Sequence, residues 1–335
     1  MADTFESSAP DQQEKTLRPG SFKAFIGQGK LLSRLKVFVA AARSRGEALD
    51  HVLFHGPPGL GKTTLSRIIA QELGAEIMMT SAPALERSGD LAAILSGLSP
   101  GDVLFIDEVH RLRAPVEETL YSAMEDFAID IVIGQGAGAR TVRLPVSKFT
   151  LIGATTKTGQ LSSPFYSRFG IVNRLDFYSS DELVRIIRRN SGLLGLPLEE
   201  DGALELARRV RGTPRICNNL LRRLRDFAEV DGVPALDSAF VDKTLSFLGI
   251  DRQGLDEMGR RYLQVMITSF GGGPVGVENL AVSLNEDKDT LADVYEPFLI
   301  QCGFVKRTPR GRVVLDSAYA HLGLGVPVRP QGELF

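Results

Sequence analysis

The sequence predicts an α/β protein in three parts: a three-layer domain with a mostly parallel sheet, a small all-helical domain and a C-terminal winged helix. Short β-rich apolar runs alternate with longer amphipathic stretches between residues 22 and 178, which is typical of helices covering both faces of a buried sheet. From residue 181 the apolar residues recur at helical spacing with arginines on the opposite face, which indicates a helical domain. From about residue 254 the pattern predicts three helices and a hairpin, the order of a winged helix.

The first domain is predicted to span residues 16–180. Its predicted strands are short runs rich in β-branched and aromatic residues, and helical patterns separate them. The runs are His51-Val-Leu-Phe54, Val103-Leu-Phe-Ile106 and Thr150-Leu-Ile-Gly153.

A β-hairpin is predicted within this domain at about 128–146. Two apolar runs there flank the glycine-rich segment Gly134-Gln-Gly-Ala-Gly138. Such a hairpin is either an edge ribbon that caps the sheet or, where its apolar residues are exposed, a docking surface for a partner.

The helical domain is predicted over 181–252 and the winged helix over 254–325. Apolar residues at helical spacing mark the first helix of the winged helix, and a second helix is predicted at 276–285. The hairpin strands Phe304-Val305 and Val313-Val314 flank the turn Thr308-Pro-Arg-Gly311. The helix positions are Met258, Tyr262, Val265, Met266 and Phe270 for the first helix and Leu291, Val294 and Phe298 for the third.

The composition excludes several protein classes. The 335 residues carry a net charge of −2, so any nucleic-acid surface must be a local patch. The two cysteines, Cys217 and Cys302, lie far apart without metal-ligand spacing, which argues against a disulfide framework or zinc site and favours the cytoplasm. No apolar run is long enough to span a membrane. Residues 1–15 and 326–335 are predicted to be disordered or flexible tails.

A phosphate-binding loop is the strongest motif. Gly56-Pro-Pro-Gly-Leu-Gly-Lys62-Thr63 matches the P-loop pattern and lies between a β-rich run and a helical one. Glycines such as Gly59 and Gly61 let backbone N–H groups surround phosphates at a helix N-terminus. Lys62 would contact the β- and γ-phosphates of ATP, and the Thr63 hydroxyl would bind Mg²⁺. The alternative is a chance glycine-rich turn, which the flanking pattern disfavours.

Two carboxylates end the next predicted strand, in Asp102-Val-Leu-Phe-Ile-Asp107-Glu108. Asp107 would hold Mg²⁺ through its water shell, and Glu108 would orient and polarise the attacking water. An Asp-Glu pair at a strand end is often only a solvated turn, but its position downstream of a P-loop favours the catalytic interpretation.

A third strand end and two arginines complete the predicted catalytic set. Thr155 or Thr156, in Gly153-Ala-Thr155-Thr156, is a candidate to sense the γ-phosphate, and the pattern does not choose between them. Arg168 and Arg215 are candidates to stabilise charge in the transition state, and such an arginine can be supplied in trans. Spacing alone leaves each equally compatible with a solvated surface arginine.

The chain as a whole resembles AAA+ ATPases and, more narrowly, the RuvB family, from about residue 16 to 324. The order of P-loop, Asp-Glu strand, threonine strand and arginines before a helical lid carries the first resemblance. The strings that carry the second are Leu17-Arg18-Pro19, Phe25-Ile-Gly-Gln28, Gly46-Glu-Ala-Leu-Asp-His51, Pro83-Ala-Leu-Glu86, Gly89-Asp-Leu-Ala-Ala-Ile-Leu95, Ala123-Met-Glu-Asp-Phe127, Gly212-Thr-Pro-Arg-Ile216 and Arg307-Thr-Pro-Arg-Gly-Arg312.

This resemblance implies roles for individual residues. Arg168 would be a finger reaching the neighbouring subunit's site, and Arg215 a second sensor on the lid. The residues that the resemblance places around the nucleotide are Leu17, Arg18 and Tyr178 at base and ribose, Gly59, Lys62, Thr63 and Thr64 at the phosphates, and Glu125, Asp126 and Phe127 elsewhere in the pocket.

The resemblance also implies an ATP-dependent DNA translocase that drives branch migration of Holliday junctions in recombination and repair. Such motors work as homohexameric rings on duplex DNA and are loaded on the junction by RuvA, which binds the predicted hairpin. RuvC is the resolving nuclease. Lys306, Arg307, Arg310 and Arg312 cluster around the wing turn. Charge alone is compatible with a solvated loop, whereas the resemblance implies contacts from Arg307 and Arg312 to DNA phosphates without sequence readout.

Four residues depart from the family's usual pattern. Tyr166 stands where another arginine is usual, which leaves Arg168 as the finger candidate, while His55, Cys217 and Asn219 put kinetic details in doubt. Two alternatives stay open: a clamp-loader-like or protein-remodelling AAA+ ATPase, and an ATP-switched DNA-binding scaffold. A C-terminal winged helix disfavours the former, because clamp loaders end in a helical collar, and Glu108 and Arg168 disfavour the latter.

Overall fold

The computed structural model describes residues 17–133 and 140–326. The predicted tail 1–15, residues 327–335 and the Gly134–Gly138 segment of the hairpin lie outside the described residues. The chain divides into two compact units, Met1–Tyr178 and Ser179–Phe335.

The first unit is built on a five-stranded parallel sheet in the order β2-β3-β6-β1-β7. β1 lies between the central strand β6 and the edge strand β7, so the P-loop that follows it emerges beside the end of β6. All three predicted strands are present, and two further short ones complete the sheet. The strands are β1 Val52–His55, β2 Ile77–Ser81, β3 Val103–Asp107, β6 Thr150–Thr155 and β7 Ile171–Arg174.

Helices lie between these strands and bury the sheet. β1 and β6 are buried along nearly their full length, as expected for strands covered on both faces. The three-layer α/β class is therefore confirmed. The helices are α1 Gly29–Arg45, α2 Lys62–Leu73, α3 Ser88–Ser96, α4 Ala114–Asp126 and α5 Ser163–Tyr166.

The predicted hairpin is an antiparallel pair, β4 Ala128–Ile133 and β5 Arg140–Pro145. At its base Ile129 is fully buried in the core of the unit, and Leu144 packs against the same core. The base of the hairpin therefore belongs to the domain. Ile129 and Leu144 pack against the core beside α4, so these two residues do not form an exposed apolar surface.

The second unit begins with four helices and ends with a winged helix. A small hairpin, β8 Val305–Thr308 and β9 Gly311–Val314, forms the wing. A final helix, Asp316–His321, was not predicted. The helices are α6 Ser180–Leu193, α7 Glu200–Arg209, α8 Pro214–Asp231, α9 Ser238–Phe247, α10 Glu257–Thr268, α11 Val277–Leu284, α12 Lys288–Thr290, α13 Glu296–Gln301 and α14 Asp316–His321, with a π-helical turn at Leu291–Tyr295.

The winged helix has its own core, which includes Tyr262, Met266, Phe298 and Val314. The predicted helical face on α10 is therefore the face that the fold buries. Within the described part of the chain, no helix is long and apolar enough to cross a bilayer.

Candidate nucleotide site and DNA-binding wing

The P-loop connects the carboxyl end of β1 to the N-terminus of α2. Gly56, Gly59 and Gly61 all have positive φ values, of 133°, 78° and 103°, a region that favours glycine. At Gly56 a side chain is also excluded by space, because a Cβ would lie 2.3 Å from the carbonyl oxygen of Leu175. The sequence thus folds into a loop whose backbone can surround an anion at a helix N-terminus.

Lys62 is buried at the start of α2. Its ammonium donates hydrogen bonds to the carbonyl oxygens of Gly56 at 2.7 Å and Pro57 at 2.8 Å. Burial lowers the pKa of Lys62 to about 8, and the charges of Asp107 and Glu108 partly oppose this shift. A buried cation beside phosphate-binding backbone is stabilised when an anion binds.

We expect the protein to take up a proton at the Lys62 amine when a nucleotide binds. Phosphate favours the charged amine, so the pKa of Lys62 should rise from about 8 in the free protein. At about pH 8.5, where much of the free side chain is neutral and ATP is fully ionised, binding should draw a proton from the buffer. Calorimetry of a non-hydrolysable ATP analogue, in two buffers with different ionisation heats, measures this uptake.

The uptake should disappear at about pH 7, where Lys62 is already charged in the free protein. Buffer-independent binding heats at both pH values would contradict this account of Lys62.

Asp107 and Glu108 follow at the carboxyl end of β3. The Glu108 backbone has a φ of 52° and its N–H donates to Asp107 Oδ1 at 3.0 Å. The Glu108 carboxylate is half-exposed and pairs with Arg111 at 3.0 Å. An exposed pair of this kind is worth about 0.2–1 kcal/mol, so Glu108 can leave Arg111 at little cost.

The two threonines at the end of β6 differ in their hydrogen bonding. The Thr155 side chain is buried, and its hydroxyl lies 2.9 Å from His110 Nδ1 and accepts a hydrogen bond from the Lys157 N–H at 2.9 Å. Thr155 therefore ties the segment after Glu108 to the end of β6. Thr156, the next residue, is only half-buried and is the better candidate for a γ-phosphate sensor.

Tyr178 lies directly against the P-loop. Its hydroxyl donates to the Leu60 carbonyl oxygen at 3.1 Å. The Phe25 ring packs against the same loop, because a Cβ on Gly61 would lie 3.1 Å from it. Leu17 is fully buried, whereas Arg18 is half-buried. Thr63 and Thr64 occupy the first turn of α2.

Arg168 lies in the turn after α5 and packs against α4, and its side chain is about one-third exposed. It pairs with Glu125 at 2.7 Å, donates to the Tyr121 hydroxyl and covers the Tyr121 ring, with 4.6 Å from guanidinium carbon to ring centre. Its buried Nε has no hydrogen-bond partner among the described residues. Asp126, next to Glu125, pairs with Arg143 of the hairpin at 2.5 Å.

Arg168 and the P-loop lie at opposite ends of the parallel strands. Arg168 lies at the edge formed by the amino ends of the strands, and the P-loop lies at the edge formed by their carboxyl ends. Arg168 and Phe127 line a groove of about 930 Å³ together with residues that immediately precede strands, such as Asp102 before β3 and Gly170 before β7. The P-loop, Asp107 and Thr155 instead follow strands. The strands between the two edges are four to six residues long, or at least about 13 Å.

This arrangement has a consequence for the predicted nucleotide pocket. Glu125, Asp126 and Phe127 lie with Arg168 at the amino ends of the strands, away from the P-loop of the same chain. Arg215 belongs to the second unit, where it is exposed in the first turn of α8.

The wing arginines converge on one buried carboxylate. Glu296 is fully buried and pairs with Arg307 at 2.6 Å and with Arg312 at 2.8 Å. The Tyr262 hydroxyl also donates a hydrogen bond to Glu296, at 3.1 Å. Arg312 is only 18% exposed, Arg307 is half-exposed, and Arg310 is exposed at the turn. The predicted DNA contacts are therefore unequal: Arg310 is exposed to solvent, whereas Arg312 secures the wing to α13.

Substitutions at Arg310 and Arg312 should separate these two roles. Arg310→Ala should leave the free energy of unfolding unchanged. It should reduce the magnitude of the slope of log DNA affinity against log salt concentration by about 1, which corresponds to the loss of one phosphate contact. Arg312→Ala should lower the free energy of unfolding by on the order of 2 kcal/mol, because Arg307 and Tyr262 still bind Glu296. Salt-dependent DNA titration and denaturant unfolding measure the two effects.

Equal losses of stability in both variants would contradict this division. So would an unchanged salt slope for Arg310→Ala.

Sequence reasoning missed several residues that shape these sites. His110, Tyr121 and Glu296 each bind a predicted residue. Of these, only His110 had a local signal, since it lies three residues after Asp107. Among the departures from the family pattern, Tyr166 is 41% exposed near Arg168, and Cys217 is buried in the lid. Asn219 accepts a hydrogen bond from Arg222 at 2.7 Å, and burial, with the charges of Arg174 and Lys62, lowers the pKa of His55.

Comparison with known proteins accounts for these features together. Three family models match consecutive parts of the chain: the Holliday junction DNA helicase RuvB P-loop domain at residues 17–175, the RuvB AAA lid domain at 178–251 and the RuvB C-terminal winged helix domain at 252–323. The first of these ranges includes the P-loop and Arg168, and the last includes the wing.

Individual relatives agree. The chain is 54% identical over 329 residues to the Holliday junction branch migration complex subunit RuvB of Lawsonia intracellularis, covering 97% of this chain and 96% of that one. It is 55% identical over 311 residues to the protein so named in Oleidesulfovibrio alaskensis, covering 93% and 97%. A solved structure, the Thermotoga maritima RuvB Holliday junction branch migration motor, superimposes with a TM-score of 0.86 at 50% identity, covering 93% of this chain and 100% of that one. The chain belongs to the RuvB family.

Proposed function

We propose that this protein is an ATP-hydrolysing motor that moves duplex DNA and drives branch migration of Holliday junctions in the cytoplasm. The observation that carries the proposal is the combination of a complete phosphate site at one edge of the sheet with an arginine wing on a separate winged helix. The relatives named above are branch migration subunits, which supports the choice of DNA substrate.

ATP fits the P-loop because three glycines with positive φ and a buried ammonium meet at the N-terminus of α2. Gly59 and Gly61 shape the backbone that binds the phosphates, and Lys62 contributes the positive charge. Thr63 and Thr64 lie in the first turn of α2, where their hydroxyls would contact the same phosphates. Leu17, Arg18 and Tyr178 border the base and ribose in this proposal.

Mg²⁺ fits the same edge. The described residues hold no cluster of three His, Cys, Asp or Glu side chains, but Mg²⁺ on a nucleotide needs only one or two carboxylates besides phosphate oxygens. Asp107 and the Thr63 hydroxyl would hold it, and when bound it neutralises charge on the phosphates. Asp107 lies close enough for its charge to raise the pKa of Lys62.

The chain's own residues divide the reaction between two subunits. Glu108 polarises the attacking water, and Thr156 contacts the γ-phosphate or that water. Arg168 of a neighbouring subunit stabilises the charge that develops in the transition state, assisted by Glu125, Asp126 and Phe127 around it. Arg215 senses the nucleotide from the lid.

Assembly and partners follow from this division of labour. A site completed by two subunits requires an oligomer, and we infer the hexameric ring of RuvB-like motors. The hairpin Ala128–Ile133 with Arg140–Pro145 is proposed to bind RuvA, and RuvC is proposed to act on the same junction. Arg310 and the exposed part of Arg307 contact DNA phosphates, which positions duplex of any sequence.

A labelled synthetic four-way junction tests the proposal. Incubation with this protein, ATP, Mg²⁺ and the matching RuvA should separate the junction into duplex arms. Omission of ATP or RuvA, or the substitution Lys62→Ala, should abolish separation. An ATPase that DNA does not stimulate and that leaves junctions intact would instead favour a clamp-loader-like or remodelling ATPase. DNA binding with negligible turnover would favour an ATP-switched scaffold.

A further inference from the structure

The turn that precedes Arg215 also carries Arg211. This turn joins α7 to α8, and Arg211 has a φ of 53°, followed by Gly212 at 65°. The Thr213 hydroxyl donates to the Arg211 carbonyl oxygen at 3.0 Å, and the Thr213 N–H donates to Val210 at 3.0 Å. The backbone of the turn is therefore fixed locally, and Arg215 is held two residues beyond it.

The Arg211 side chain leaves the lid and contacts the winged helix. Its Nε donates to the Gly254 carbonyl oxygen at 2.6 Å, and its terminal nitrogen pairs with Asp256 at 2.9 Å. The guanidinium carbon lies 5.5 Å from the centre of the Phe298 ring on α13. Only 11% of the side chain is exposed, so its charge interacts with these groups under weak solvent screening.

Asp256 connects this contact to the first helix of the winged helix. Its carboxylate accepts a hydrogen bond from the Gly259 N–H at 2.8 Å and caps α10. One oxygen therefore caps the helix while the other binds Arg211. A shift of the turn would pull on the N-terminus of α10 directly.

The segment between lid and winged helix leaves little room to absorb such a shift. A Cβ on Gly254 would lie 2.6 Å from the Arg209 carbonyl oxygen, so the two backbones touch. Arg260 of α10 donates to the Gly249 carbonyl oxygen at 2.8 Å, and His321 of α14 lies 2.9 Å from Asp251. Three separate contacts thus hold the connecting segment to both domains.

We propose that Arg211 is a positioning residue that transmits the nucleotide-dependent position of Arg215 to the DNA-binding winged helix. The inference rests on the proposed function, since it requires a nucleotide sensor at Arg215 and DNA on the wing. Movement at the start of α8 passes through the guanidinium of Arg211 to Asp256 and Phe298, and the winged helix follows the lid.

Two substitutions in the full-length protein test this link. Asp256→Asn retains a side-chain oxygen that caps α10 but removes the charge that Arg211 binds. Arg211→Asn suits the left-handed backbone and removes the guanidinium. Both variants should bind ATP and duplex DNA like the unmodified protein and keep its DNA-free ATPase rate. The number of junctions separated per ATP hydrolysed should fall at least about fivefold, the lower end of typical allosteric coupling.

Arg223→Asn is the matched control. Arg223 lies on α8 as well, but it is 64% exposed and pairs with Asp226 at 2.9 Å on the same helix. The Arg223→Asn variant should separate as many junctions per ATP hydrolysed as the unmodified protein. The inference would be overturned if Asp256→Asn separated as many junctions per ATP as the unmodified protein. It would also be overturned if only Arg211→Asn separated fewer junctions per ATP and the melting temperature of that variant fell in parallel. Failure of the proposed function is a separate result, because the unmodified protein would then separate no junctions.

Discussion

Glu108→Gln should abolish most ATP turnover while ATP binding persists. The substitution keeps the size of the side chain and its half-exposed position beside Arg111, but an amide cannot polarise the attacking water as a carboxylate does. Loss of a general base typically costs about 10²–10⁴ in rate. Steady-state phosphate release measures the loss, and binding of a fluorescent nucleotide shows that the site is intact.

Glu118→Gln is the control, since Glu118 is an exposed glutamate on α4 and should leave turnover unchanged. Undiminished turnover in Glu108→Gln would exclude Glu108 as the group that activates water.

Arg168→Ala should bind ATP but hydrolyse it about 10³–10⁵ times more slowly, the usual contribution of an arginine finger. The side chain lies at the edge of the sheet opposite the P-loop, so its loss should damage the neighbour's site and spare its own. Mixing Arg168→Ala with Lys62→Ala subunits tests this directly. Neither variant should hydrolyse ATP alone, but in mixed assemblies an intact P-loop should meet an intact arginine and activity should return.

Arg67→Ala serves as control, because Arg67 is exposed on α2. Normal turnover by Arg168→Ala would remove the two-subunit site from the model, as would mixed assemblies that stay inactive despite demonstrated subunit exchange.

Much of this fold was predictable from sequence because its signals are local. Buried parallel strands appear as short apolar runs, and a P-loop needs glycines at fixed spacing before a helix. The strand ends then place Lys62, Asp107 and Thr155 at one edge without knowledge of the tertiary structure. The predicted fold class is confirmed for this reason.

The remaining features depend on side-chain contacts that no local pattern reports. The choice between Thr155 and Thr156 depends on His110, which lies 45 residues away from Thr155 in sequence and occupies its hydroxyl. The different roles of Arg310 and Arg312 depend on Glu296, a buried acid that has no motif around it. The amino-edge location of Glu125 follows only from its pairing with Arg168.

The opposite placement of the P-loop and Arg168 gives each subunit a direction. In the proposed oligomer, subunits that join P-loop to arginine associate head to tail, a heterologous contact that can grow in a row or close on itself. In an open row, the P-loop of one terminal subunit receives no arginine from a neighbour, whereas in a closed ring every P-loop receives one. Specific activity should therefore rise steeply as subunits become concentrated, for example on one DNA junction, and dilution alone would silence the protein without any inhibitor.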